Sequence, residues 1–124
     1  MEIHERACDV PGVRLLALDG GLDHTNTADF VARMDQVLLA GPPRVVLDLG
    51  RLVYVSSWGL AALVRAHHRF CVRGGRVAFA NLHSAVATLL RISRLDRLFD
   101  LYPTVGDAVR GISAARGSEE AGPP

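Results

Sequence analysis

The chain has 124 residues, 49% of them hydrophobic, and carries a net charge of +1. That length and apolar content suit one globular domain with a single core, and no apolar run approaches the roughly 20 residues that a membrane-spanning helix needs. A charge so near zero gives no electrostatic case for direct nucleic-acid binding or for a membrane surface. All 14 basic residues are arginine, which reads as a coding bias because no physical requirement explains it. Two cysteines, Cys8 and Cys71, are too few and too unpatterned for a disulfide framework, which fits a reducing cytoplasm. The opening Met-Glu-Ile-His-Glu-Arg is polar and does not read as a signal peptide.

In chain order, residues 2–8 read as an edge strand, and Asp9-Val10-Pro11-Gly12 as a reversal, because a Pro-Gly pair supplies the dihedrals of a tight turn. Residues 13–18 are the returning strand of an antiparallel hairpin, interrupted by Asp19-Gly20-Gly21. Thr25, Asn26 or Thr27 then caps a helix whose core side carries Phe30, Val31, Met34, Val37 and Leu38, and Gly41-Pro42-Pro43 stops it. Val45, Val46 and Leu47 form a short unbroken apolar run, as expected of a strand covered on both faces. Asp48, Gly50 and Arg51 end that run, and a second extended piece, 52–55, leads into Ser56-Ser57-Trp58-Gly59. From Leu60 the period becomes helical, with Leu60, Leu63, Val64, His67, Phe70 and Cys71 on one stripe and Arg65, Arg69 and Arg73 away from it. Gly74-Gly75 closes the helix. A strand over 76–80, a helix over 85–92, a strand over 98–102 and a helix over 105–115 complete a domain of residues 1–115. Residues 116–124 read as a flexible tail. After the hairpin, helices and strands alternate, which argues for an α/β fold with a mixed, mostly parallel sheet and helices packed against it.

The serine turn is the candidate functional site. Ser56 or Ser57 stands where a helix begins, beside amides without intrahelical partners and the positive end of the macrodipole, a position that accepts a hydroxyl cap or a phosphate. Trp58 lies about 200° round the helix from Leu60, on the side of Arg65 and Arg69. A tryptophan beside an exposed serine suggests a contact surface.

On these residues the chain resembles the STAS domain, the fold of bacterial anti-sigma factor antagonists, over roughly residues 10–112. The family signature is a strand followed by Asp-Ser-Ser/Thr-Gly-Leu, in which the first serine after the aspartate is phosphorylated. Here Ser56 takes the aspartate position, Ser57 the phosphorylated serine and Trp58 the second hydroxyl residue, while Gly59-Leu60 match. Gly21-Leu22-Asp23 is similar to the family's Gly-Glu-Leu-Asp turn, with Gly21 in place of glutamate, and the run Leu-Arg-Ile-Ser-Arg-Leu-Asp-Arg-Leu-Phe ending at Phe99 is similar to a later helix and strand. The resemblance implies a binding module, not an enzyme. Its partner-binding residues would be Asp23, Ser56, Ser57, Trp58 and Gly59, with phosphorylation at Ser57. It would dock on an anti-sigma factor of the serine kinase type and release a sigma factor, with a serine phosphatase as a second partner. The alternative is a STAS subunit that does not switch and docks in a lipid-transport or larger signalling complex. On side-chain chemistry alone, Asp23 reads equally as a turn residue.

Other chemistry is weaker. His67 and Cys71 share a helical face, with His68 beside them, but two donors without remote partners do not make a metal site. His24, His83 and Asp23 could supply a base for a serine nucleophile, yet no Gly-x-Ser-x-Gly elbow is present. Neither a phosphate-binding Gly-x-x-x-x-Gly-Lys loop nor a Gly-x-Gly-x-x-Gly fingerprint occurs, so no cofactor or nucleotide is expected.

Overall fold

The computed structural model describes residues 1–41 and 44–121, with side chains described as far as Ser113. Five strands lie side by side in chain order: β1 (Glu2–Arg6), β2 (Arg14–Leu22), β3 (Arg44–Val55), β4 (Arg76–Ala80) and β5 (Asp100–Tyr102). The β1–β2 pair is antiparallel, and the other three pairs are parallel. The helices are α1 (Thr27–Ala40), α2 (Ser57–Val72), α3 (Ser84–Ile92) and α4 (Val105–Ala121), and a 3-10 turn over Leu95–Arg97 precedes β5. The sequence-based expectation of a mixed α/β sheet opened by a hairpin therefore holds.

Alternation along the strands sorts side chains to two faces. Leu16, Leu18, Val45, Leu47, Val77 and Phe79 meet Phe30 and Met34 of α1, Leu63 and Phe70 of α2, and Leu90 of α3 in the larger core. Burying each of these aromatic and aliphatic side chains contributes about 1.5–3 kcal/mol. The opposite face carries small side chains, with Val46, Ala78 and Ala80 under Ala108 and Ile112 of α4. Those alanines let α4 lie close, and a Cβ on Gly111 would fall within 2.5 Å of the Tyr102 ring.

Several boundaries differ from the sequence reading. The strand expected over 2–8 stops at Arg6. Asp19-Gly20-Gly21 does not interrupt β2, because the extra length is absorbed as register shifts between Ala17 and Asp19 and between Gly20 and Gly21, with Gly20 at φ 114°. Nor do Asp48, Gly50 and Arg51 end β3. The Asp48 carboxylate accepts from the Gly50 amide (3.1 Å) and from Asn81 Nδ2 (3.2 Å), and a Cβ on Gly50 would fall 2.4 Å from that Asn81 nitrogen. The glycine thus admits a side-chain bridge while β3 continues beside β2 to Val55. Only Arg44 to Asp48 pair with β4, so the second half of β3 projects past its other neighbour. α2 begins at Ser57, three residues before Leu60, and the last strand begins at Asp100, after the 3-10 turn. α1 ends as expected at Gly41, with φ 47°, while Pro42 and Pro43 lie outside the described residues. The backbone of α4 runs to Ala121, and the rest of the tail expected over 116–124 lies outside the described residues. No helix among the described residues is long and apolar enough to cross a membrane.

Candidate functional site

The projecting ends of β2 and β3 carry the candidate site. Their register pairs Leu22 with Val55, so the turn after β2 and the serine turn after β3 emerge side by side. A backbone bond ties them: the Ser56 amide donates to the Leu22 carbonyl at 2.9 Å.

Ser56 is the N-cap of α2. Its backbone is extended (φ −82°, ψ 176°), its Oγ accepts from the Gly59 amide at 3.2 Å, and its carbonyl accepts from the Leu60 amide at 2.8 Å. Ser57 is therefore the first helical residue, and it is exposed. The capping task that could have claimed either serine falls to Ser56, and the Ser57 hydroxyl stands in the first turn of α2 beside the positive end of its dipole. Gly59 is buried. A Cβ there would lie 2.5 Å from the Leu22 carbonyl oxygen and 2.8 Å from Val55 Cγ1, so the missing side chain lets the helix start seat against β2. Its contribution to the surface is the close approach itself.

Trp58 is 65% exposed. The helical wheel placed it beside Arg65 and Arg69. With Ala28, Val31, Asp35, Ala61 and Arg65 it lines an open groove of about 560 Å³ between α1 and α2. Arg69 turns to Asp35 of α1 at 2.9 Å, and Arg65 is exposed.

Asp23 opens a tight side-chain-braced turn. Its Oδ1 accepts from the Thr25 amide (2.9 Å) and the Thr25 hydroxyl (2.5 Å), and these two bonds, the hydroxyl's first, hold the carboxyl below its ordinary range. Asn26 locks the same turn from inside, donating from Nδ2 to the Gly21 carbonyl (2.8 Å) and accepting the Asp23 amide on Oδ1 (3.0 Å). Asp23 is thus a turn residue in its contacts while standing beside the serine turn.

The remaining chemistry disperses. His67 and Cys71 are together, with Nε2 3.8 Å from Sγ, but towards the other end of α2, and Cys71 is exposed rather than on the core stripe. The stripe that is buried runs Gly59, Ala62, Leu63, Ala66, Phe70, because the helix starts earlier and is covered by α1 as well as by the sheet. The His67 ring packs edge-on against Phe99, its Nδ1 is buried without a hydrogen-bond partner among the described residues, and burial pushes its pKa below 6.5. His68 is exposed. His83 caps α3, accepting the Ala85 amide on Nδ1 at 3.2 Å, and His24 is an exposed residue of the Asp23 turn. Sequence reasoning missed two features. Tyr54, 55% exposed, lies over Gly21 between the two turns. Glu2, His4 and Asp19 bring donor atoms together across the hairpin, which only the strand register reveals.

Comparison with known proteins agrees with this architecture. The family model described as the STAS domain matches residues 7–108. The anti-sigma-F factor antagonist RsfB of Mycobacterium tuberculosis is 27% identical over 110 residues, covering 87% of this chain and 88% of that protein. An anti-sigma factor antagonist from Mycobacterium paratuberculosis superposes with a TM-score of 0.77 at 24% identity, over 90% of this chain and 95% of that one. The Bacillus cell fate determinant SpoIIAA in its phosphorylated form superposes at 0.68 with 15% identity, over 90% and 99%. A family match across most of the chain, relatives that cover nearly all of it and superposition on solved domains converge on one conclusion: this chain belongs to the STAS domain family, with anti-sigma factor antagonists among its relatives.

Proposed function

We propose that this protein is an anti-sigma factor antagonist that binds an anti-sigma factor of the serine kinase type, frees a sigma factor, and is switched off by phosphorylation of Ser57. It acts in the cytoplasm by binding rather than by catalysis, and a serine phosphatase restores it. The observation that carries this reading is the division of labour between the serines: Ser56 caps α2, which leaves the exposed Ser57 hydroxyl without that structural task. The docking surface comprises Ser56, Ser57 and Trp58, seated by Gly59, with Asp23 alongside.

Phosphoserine brings about −1.5 to −2 charges at pH 7, and first-turn amides with the helix dipole stabilise such a group in the free domain. The fold therefore survives modification. Docking does not, because a dianion must then be desolvated at the interface and meets any acidic group opposite. A solved SpoIIAA of the same fold in a phosphorylated form supports the compatibility of this fold with the modification.

Incubation with the cognate kinase and ATP, followed by intact mass and peptide mapping, tests the reading. One phosphate on Ser57 is expected, and the modified domain should lose its partner in a titration that the unmodified domain saturates. Equal binding by both forms would sink the switch and leave a docking subunit of constant affinity as the better description.

A further inference from the structure

β1 presents Ile3 to the larger core and turns Glu2 and His4 to the opposite side of the sheet. On that side α4 rests chiefly on β3, β4 and β5, and Glu2 and His4 are exposed with Asp19 half-buried. The register sets Glu2 directly across from Asp19. Two carboxylates facing each other on an antiparallel ladder repel, and a cation between them reverses the sign of that interaction. His4 stands two residues along the same side, with Nε2 3.1 Å from Glu2 Oε1, and the donor atoms of all three residues lie within 4.8 Å of one another.

We propose that Glu2, His4 and Asp19 form a site for one divalent transition-metal ion of the zinc class. An ion bound at about 2.0–2.2 Å to nitrogen and oxygen ligands holds them roughly 3.3–3.5 Å apart in a tetrahedron, which small rotations of the exposed Glu2 and His4 and the half-buried Asp19 reach. The imidazole selects such ions over magnesium or calcium, which favour all-oxygen shells. Three protein ligands leave a position for water or for a group from outside the chain. Arg51 Nε, 3.2 Å from Asp19 Oδ2, is the present counter-charge, and with its side chain 76% exposed it swings away freely when an ion arrives. The bound ion clips the edge strand to β2 at the residue before the Gly20-Gly21 bulge. The inference stands apart from the proposed signalling role.

Titration of metal-free, full-length protein with zinc chloride by calorimetry tests it, with magnesium chloride as the comparison probe. One equivalent of zinc is expected, with no magnesium uptake. His4→Ala and Asp19→Asn should each weaken zinc binding at least tenfold, whereas Cys71→Ser should leave it unchanged. His4 and Cys71 are exposed and Asp19 is half-buried, and circular dichroism verifies that all three variants fold. In the wild type, the ring proton resonances of His4 should move on zinc addition. Equal uptake by His4→Ala, loss in Cys71→Ser, or a stationary His4 signal would each overturn the assignment.

Discussion

Gly59→Ala adds one methyl group where α2 is seated against β2. The new Cβ would meet the Leu22 carbonyl oxygen at 2.5 Å, Val55 Cγ1 at 2.8 Å and Leu22 Cγ at 3.1 Å. The first of these is backbone, so no rotamer change relieves it. Alanine recovers up to ~1 kcal/mol of helix propensity relative to glycine, but overpacking costs about 1–3 kcal/mol. Pushing the helix away also strains the bond from the Ser56 amide to the Leu22 carbonyl, worth about 1 kcal/mol. The balance is a loss of about 1–3 kcal/mol. Urea unfolding of wild type and variant should show a lower midpoint with an unchanged slope. A thermal scan should fall by roughly 3–5 °C for each kcal/mol lost in a domain of this size. A variant as stable as wild type would refute the reasoning, because it would mean that the start of α2 can lift from β2 without cost.

The two serines should separate in the same assay. Ser56→Ala removes the cap and should cost about 1 kcal/mol, while Ser57→Ala should stay within about 0.5 kcal/mol of wild type; equal losses would show that the capping is shared. Trp58→Ala should weaken the proposed complex with an anti-sigma factor by ~2 kcal/mol while leaving the melting temperature in place, and a collapsed melting temperature would show that the ring supports the core. His67 has a folded-state pKa depressed below 6.5 by burial, so its neutral form is the one the fold favours. Its contribution is fully present above the unfolded value and is lost as pH falls from about 6.5 through the folded value, the unfolded chain taking up the proton first. His67→Gln should therefore flatten the decline in stability between pH 7 and pH 5. The carboxylates of Glu5, bonded first by Arg14, and of Asp23 also have lowered values, and their contributions are lost only at more acid pH.

Much of the frame was legible because apolar period reports burial. The continuous run Val45-Val46-Leu47 marked the central strand, and helical spacing marked α1 with Phe30, Met34, Val37 and Leu38 all buried. The errors share a cause. Asp19-Gly20-Gly21 and the set Asp48, Gly50 and Arg51 look like breakers in one dimension, yet glycine also serves where a strand bulges or a neighbour's side chain crosses it, and only the neighbour distinguishes the two uses. The phase of α2 slipped for a related reason. Of the expected stripe Leu63 and Phe70 are buried, while Leu60, Val64 and His67 are half-buried and Cys71 is exposed, because packing against α1 selects small residues and brings Ala62 and Ala66 into the core. At the candidate site, Trp58 was placed on the correct side of its helix by the wheel alone. Which serine caps could not be read from two adjacent hydroxyls, since it depends on the residue at which the backbone passes from extended to helical dihedrals.

The bond between Ser56 and Leu22 joins the two turns of the proposed docking face through main-chain atoms, and Gly59 brings them together by having no side chain. Their spacing is thus independent of what His24 and Trp58 happen to be. Substitution at such positions can retune recognition while the framework stays constant, so duplicated copies of such a domain can diverge in partner choice without first solving a new folding problem. A cell that holds several of them can keep its signalling lines insulated by altering a few surface side chains.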